Sequence, residues 1–195
     1  MFGDRDPVAE PGTATGTPGN WWTVMSLVPD VLKYFQQGGA LYVGENRLVP
    51  RYFVELALVR TGFAAGSQFV YSQHCKGARG AGIPAEKVDA IPHWSATDLF
   101  DGQERAVLTY IDELVLAHGR CQDGTFAALK KYFPDEAILE LTYISLLYLT
   151  YAIFTKALQL EYDDVPERVV EIPVPGAAGA KVDIMAQMSD ESAKG

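Results

Sequence analysis

Glu55 stands in the run Val54-Glu55-Leu56-Ala57-Leu58-Val59, where apolar residues cover nearly every direction around a helix. A carboxylate so placed is carried toward the interior, and burial without a hydrogen-bond donor is strongly unfavourable. His74 is the natural donor. It falls on the next expected helix, with Val70 and Ala78 one turn to either side and Tyr71 nearby, so its ring faces the same interior. A histidine oriented by a carboxylate has a defined tautomer and can exchange a proton near neutrality, the equipment of a general acid–base catalyst. The same two residue types also occur as a purely structural buried pair, and the residues alone leave both readings open. Arg51 and Arg60 flank Glu55 in sequence and suit the fixation of a substrate carboxylate.

Other reactive side chains form no second constellation. Cys75 directly follows His74, which turns it about 100° away around an ideal helix, and Cys121 has no partner that the sequence identifies. The two cysteines lack metal-ligand spacing with His74, His93 and His118, so neither a metal nor another cofactor is expected. His93 falls in a connecting loop, and His118 at a helix C-terminus, where the dipole favours it. Phe69, Tyr71, Tyr148 and Tyr151 are candidates for an apolar pocket around a ring-containing substrate, although aromatics at helical spacing also serve as plain core.

These residues need a scaffold of helices, and the chain supplies the pattern for one. Its 195 residues, 48% hydrophobic and 21% charged, suit a single domain with one sizeable core. A net charge of −9 disfavours phosphate backbones and anionic membranes, which removes nucleic acid from the expected partners. The charge-free run 141–155 is shorter than the roughly 20 residues a bilayer needs and reads as a buried helix. With no export signal and no cysteine framework, a reduced, cytoplasmic protein is expected.

Residues 1–20, rich in Gly, Pro and Thr, are expected to form a flexible arm, followed by a helical domain over 21–164 and an extended tail over 165–195. Helices are predicted at 22–37, stopped by Gly38-Gly39; at 49–61, entered through Pro50; at 67–79; and at 85–91. Asp101 and Glu104 give the Asp-x-x-Glu signature of a helix start, predicting one from 102 to 118. A shorter helix capped by Asp123 and a long one opened by Pro134, reaching to about residue 160, complete the set. Only 169–172 hints at a strand.

The segments Arg47-Leu48-Val49-Pro50-Arg51 to Glu55-Leu56-Ala57-Leu58-Val59-Arg60, Ser67-Gln68-Phe69-Val70-Tyr71-Ser72-Gln73-His74 and Ala78-Arg79-Gly80-Ala81-Gly82-Ile83 resemble the core of carboxymuconolactone decarboxylase and alkylhydroperoxidase D-like proteins. In the peroxidase branch a Glu is followed after twelve residues by a Cys, after three more by a second Cys and after four by a His. Here those steps land on Glu55, Ser67, Val70 and His74, so both cysteine positions are vacant. The decarboxylase branch shows Tyr-Glu-Trp-x-x-His, where this chain has Phe69-Val70-Tyr71-Ser72-Gln73-His74.

The resemblance covers about residues 22–164 and implies an all-α, alkylhydroperoxidase D-like helical bundle, assembled as a homo-oligomer, a trimer or hexamer. It implies His74 and Glu55 as catalytic residues, with Tyr71, Arg60 and Ser67 beside a small-molecule substrate. Without a cysteine pair, cofactor-free proton transfer on a carboxylate- or carbonyl-containing substrate is expected: decarboxylation, isomerisation or lactone processing. The alternatives are an antioxidant peroxidase relative and a non-catalytic protein that binds a small ligand.

Overall fold

A computed structural model describes residues 24–158 and Leu160, all of them in helices or their connections. They fall into two compact units, one containing the described residues up to 46 and from 157, the other residues 47–156. The expected boundaries near residues 20 and 164 and the strand hint at 169–172 lie outside the described residues.

The first unit contributes α1, Pro29–Val43. Residues 24–26 are helical as well, but the helix expected over 22–37 is broken at Leu27 and Val28, because Pro29 has no N–H for the bond to the Met25 carbonyl; residue 22 lies outside the described residues. The chain instead makes two turns there, Leu27 N–H to Val24 O and Val28 N–H to Met25 O, each at 3.2 Å. The expected stop at Gly38-Gly39 is also overturned, since α1 continues through both glycines to Val43, with Gly39 and Tyr42 buried. Each glycine costs a helix only about 1 kcal/mol relative to alanine, which packing readily overrides. Leu27, Val28 and Val31 are exposed.

The second unit is built on α2, Arg51–Ala64, in which every residue from Val54 to Gly62 is buried. Such a helix, apolar nearly all round, needs cover on every side. It packs most extensively against α3, Gln68–Gly80, and next against α5, Gly102–Leu116.

Two features draw α2 and α3 together. Gly66 ends the first helix at φ +65°, a left-handed conformation natural to glycine, and Ser67 N–H closes the turn on the Gly62 carbonyl at 2.9 Å. Gly62 lets the backbones meet, since a Cβ there would lie 2.5 Å from the Tyr71 nitrogen.

After α3 come α4, Ala85–Ala90, and a 3-10 segment, Ile91–Ala96, where a loop was expected around His93 and Trp94. The capping box that begins α5 is complete: Asp101 accepts from the Gln103 and Glu104 amides, and Glu104 reaches back to Asp101 N–H at 2.7 Å. The helix stops at Leu116 rather than 118, where His118 and Gly119 take positive φ. The short α6, Asp123–Leu129, has Gln122 rather than Asp123 at its cap.

The long α7, Asp135–Ala157, turns Ile138, Leu141, Ser145, Tyr148 and Ala152 inward. Its outer face leaves Leu139, Tyr143, Leu146 and Ile153 exposed. By length and composition α7 matches a membrane span, with 44% of its most apolar window buried. Glu140 on α7 accepts from the Leu48 and Val49 amides at 2.9 and 3.0 Å, which fixes the entry to α2.

Candidate functional site

Glu55 on α2 and His74 on α3 meet inside the second unit, Glu55 with no exposed surface and His74 only 4% exposed. His74 Nδ1 lies 2.9 Å from Glu55 Oε2. The other carboxylate oxygen, Oε1, is 2.7 Å from the Arg51 guanidinium, one turn earlier on the same helix. The Arg51 side chain is 42% exposed, so a chain of charged and polar groups runs from solvent through Glu55 to a buried imidazole.

Packing fixes both partners. A Cβ at Gly77 would fall 2.5–2.8 Å from the three carboxylate atoms of Glu55, so α3 carries no side chain where the carboxylate lies. The His74 ring meets Tyr148 of α7 edge to face, with centroids 4.4 Å apart and planes at 88°. Tyr148 in turn packs on Tyr151 at 5.2 Å, and burial raises the Tyr151 phenol well above its ordinary value, with Tyr143 adding to the shift.

With Glu55 ionised, Nδ1 must carry the proton it shares with Oε2, which leaves Nε2 to accept or give one. Such an imidazole can act as a base toward a carbon acid or return a proton to a carbanion.

The remaining residues expected at the site are placed differently. Arg60 is 8% exposed, and its guanidinium is engaged elsewhere: Nε and Nη2 on Asp112 at 2.5 and 3.0 Å, Nη1 on the Ile91 and Pro92 carbonyls at 3.1 and 3.0 Å. Ser67, fully buried, caps α3 by accepting from Val70 N–H at 3.3 Å. Tyr71 is half-buried, its ring 6.0 Å from that of Phe63. Cys75 is buried and Cys121 partly so, and the two form no disulfide.

Other functional groups are hard to read in advance. Asp112 holds Arg60 and also accepts from Trp94 Nε1 at 3.0 Å. Glu104 is a second buried carboxylate, bonded to Lys87 Nζ at 2.6 and 2.7 Å and to the Tyr52 hydroxyl at 2.5 Å. Burial first, then the hydrogen bond and charge of Glu104, raise the Tyr52 phenol far above its usual value. Among the described residues, no cluster of three or more His, Cys, Asp or Glu side chains could hold a metal.

The model of the carboxymuconolactone decarboxylase family matches residues 29–113, which include both members of the buried pair. Over those residues the chain is similar to the carboxymuconolactone decarboxylase family. Its fold agrees with that of a protein of unknown function from Agrobacterium tumefaciens, provisionally described as an AhpD antioxidant defence protein. That structure gives a TM-score of 0.65 at 22% identity, over 73% of this chain and 97% of the other. The debrominase Bmp8 is also similar in fold, at TM-score 0.66 and 20% identity, over 78% of this chain and 80% of that one. It has been solved without ligand and, as a cysteine-to-alanine variant, with 2,3,4-tribromopyrrole. No curated protein matches the sequence.

Proposed function

We propose that this protein is a carboxymuconolactone decarboxylase-like, cofactor-free acid–base catalyst acting on a small carboxylate- or carbonyl-containing substrate by decarboxylation, isomerisation or lactone processing. The observation that carries the reading is the buried contact of His74 Nδ1 with Glu55 at 2.9 Å, braced by Arg51. His74 Nε2 takes a proton from a carbon next to a carbonyl, or gives one to the carbanion left when carbon dioxide departs. Glu55 orients the ring and balances the imidazolium that forms.

The Arg60 fork is filled by Asp112 and two backbone carbonyls, and the partly exposed Arg51, which pairs with Glu55, is the cation assigned here to a substrate carboxylate. The compact heterocycle bound by Bmp8 is consistent with a ring-sized substrate here. Dithiol peroxidase chemistry needs an attacking and a resolving thiol; Ser67 and Val70 hold the positions where the family resemblance places them.

Self-association is part of the same proposal. Leu139, Tyr143, Leu146 and Ile153 recur along the exposed face of α7 at steps of four, three and seven, the spacing of a helix–helix seam. Light scattering should give a mass of at least two chains.

The test of function is turnover of carboxymuconolactone and related lactone carboxylates in deuterium oxide. Carbon dioxide release, or deuterium at the carbon next to the carbonyl, is expected from the wild type. His74→Gln should lower it about 10²- to 10⁴-fold. A folded His74→Gln protein with undiminished turnover would remove His74 from the mechanism, and a wild type inert toward the series would favour a ligand-binding role.

A further inference from the structure

Ser145 lies on the inward face of α7 with no exposed surface, and its hydroxyl oxygen has no hydrogen-bond partner. A helical hydroxyl normally has an easy solution, donation to the carbonyl one turn back. Thr61, Thr109, Thr142, Thr150 and Thr155 all use it, at 2.5–2.9 Å. Ser72 does the same three residues back, at 3.4 Å. Among the described buried serines and threonines of the second unit, Ser145 alone leaves its hydroxyl unbonded. An unmet polar group in a close-packed interior is costly, and its retention calls for a reason.

The position of Ser145 supplies one. Tyr148 follows one turn later on the same face, about 5–6 Å away between Cβ atoms at helical spacing, and its ring packs against His74 at 4.4 Å. The unbonded hydroxyl therefore stands one helical turn from the aromatic wall of the candidate proton-transfer centre.

We propose that Ser145 is a substrate-binding residue, donating a hydrogen bond to a carbonyl oxygen of the molecule on which His74 acts; this rests on the acid–base reading of His74. When Nε2 takes the proton from the neighbouring carbon, the C–H electron pair becomes the new C=C bond. The carbonyl π pair moves onto oxygen, which becomes an enolate. A hydroxyl donor aimed at that oxygen is worth more in the enolate than in the ground state. The ligand class is thus a small ring bearing a carbonyl as well as a carboxylate.

Two measurements on the full chain decide it. The first is the melting temperature of ligand-free Ser145→Ala, which removes an unbonded hydroxyl and should melt higher than wild type, by about 2–4 °C for a chain of this size. An unchanged or lower melting temperature would show that the hydroxyl is satisfied, for example by a buried water, and would overturn the proposal.

The second is calorimetric binding of two probes, γ-butyrolactone-γ-carboxylate and tetrahydrofuran-2-carboxylate, which share the five-membered ring, its oxygen and the carboxylate but differ in the carbonyl. Ser145→Ala should weaken the lactone about three- to tenfold and leave the cyclic ether unchanged. Equal effects on both probes would overturn the proposal. Binding of neither probe by wild type would instead overturn the carboxylate reading of the His74 site, and the melting temperature would still decide for or against the unmet hydroxyl.

Discussion

Gly77 stands where any side chain would strike the Glu55 carboxylate: a Cβ there would lie 2.5 Å from Oε2 and 2.8 Å from Oε1. The contact ties a position on α3 with no chemistry of its own to the geometry of the acid–base pair, because the carboxylate is held at once by His74 and Arg51.

Gly77→Ala should therefore do more than a helix-favouring substitution suggests. Alanine is the better helix former by about 1 kcal/mol, yet overpacking against a clamped group should reverse the sign and destabilise by about 1–3 kcal/mol. Denaturant titration measures this directly, and turnover should fall with it. A stabilised, fully active Gly77→Ala would mean that the Glu55 side chain moves aside freely.

Arg51 should act on binding more than on chemistry. Arg51→Met keeps the apolar stem while removing the charge, and it should raise KM for a carboxylate substrate about tenfold with a smaller change in kcat, the signature of lost ground-state binding. Arg51→Lys should recover part of that loss, since a point charge replaces the planar fork. Steady-state kinetics separate the two parameters.

Arg60 and Asp112 should behave as structure. Asp112→Asn removes the charge opposite a guanidinium that also bonds the Ile91 and Pro92 carbonyls, and it should cost about 2–3 kcal/mol of stability. Turnover per folded molecule should stay near wild type. A selective loss of activity without loss of stability would return Arg60 to the site.

Cys121 should be a poor nucleophile at neutral pH. Burial pushes its thiol upward, and the charge of Glu113 adds to the shift. Because the protonated thiol is the form the fold favours, its small contribution to stability is complete below the ordinary thiol range and is lost as pH rises through the raised value. Alkylation at about pH 8 should be slower than for free cysteine, whose pKa is about 8.5. Glu113→Gln should speed it modestly, a change readable by mass spectrometry.

The Glu55–His74 pair was legible because a lone charge inside an apolar helical run has few places to go, and a histidine on the inward face of the next helix can reach it. Arg51 stood out only as a cation for a substrate carboxylate, although a cation four residues before a carboxylate faces it on a helix, as it does here. Arg60 carried no such local clue, because its partner Asp112 lies 52 residues away on α5. The capping box accounted for Glu104 so fully that nothing local signalled its further bonds to Lys87 and Tyr52. Ser67 shows a different gap: its vacated cysteine position drew attention to substrate, while its place just before a helix already suited a cap. The run of α1 through two glycines escaped for want of any local signal that packing would outweigh their helix propensity.

In the proposed mechanism Glu55 holds His74 with the proton on Nδ1 and leaves Nε2 to act. Nitrogen-15 NMR of the imidazole in ligand-free protein, at a pH where His74 is neutral, reports the tautomer directly. The wild type should show a protonated Nδ1 and a bare Nε2, and Glu55→Gln should weaken or redistribute that preference. A wild-type ring with its proton on Nε2 and a bare Nδ1 facing Glu55 would contradict the proposed role of the pair.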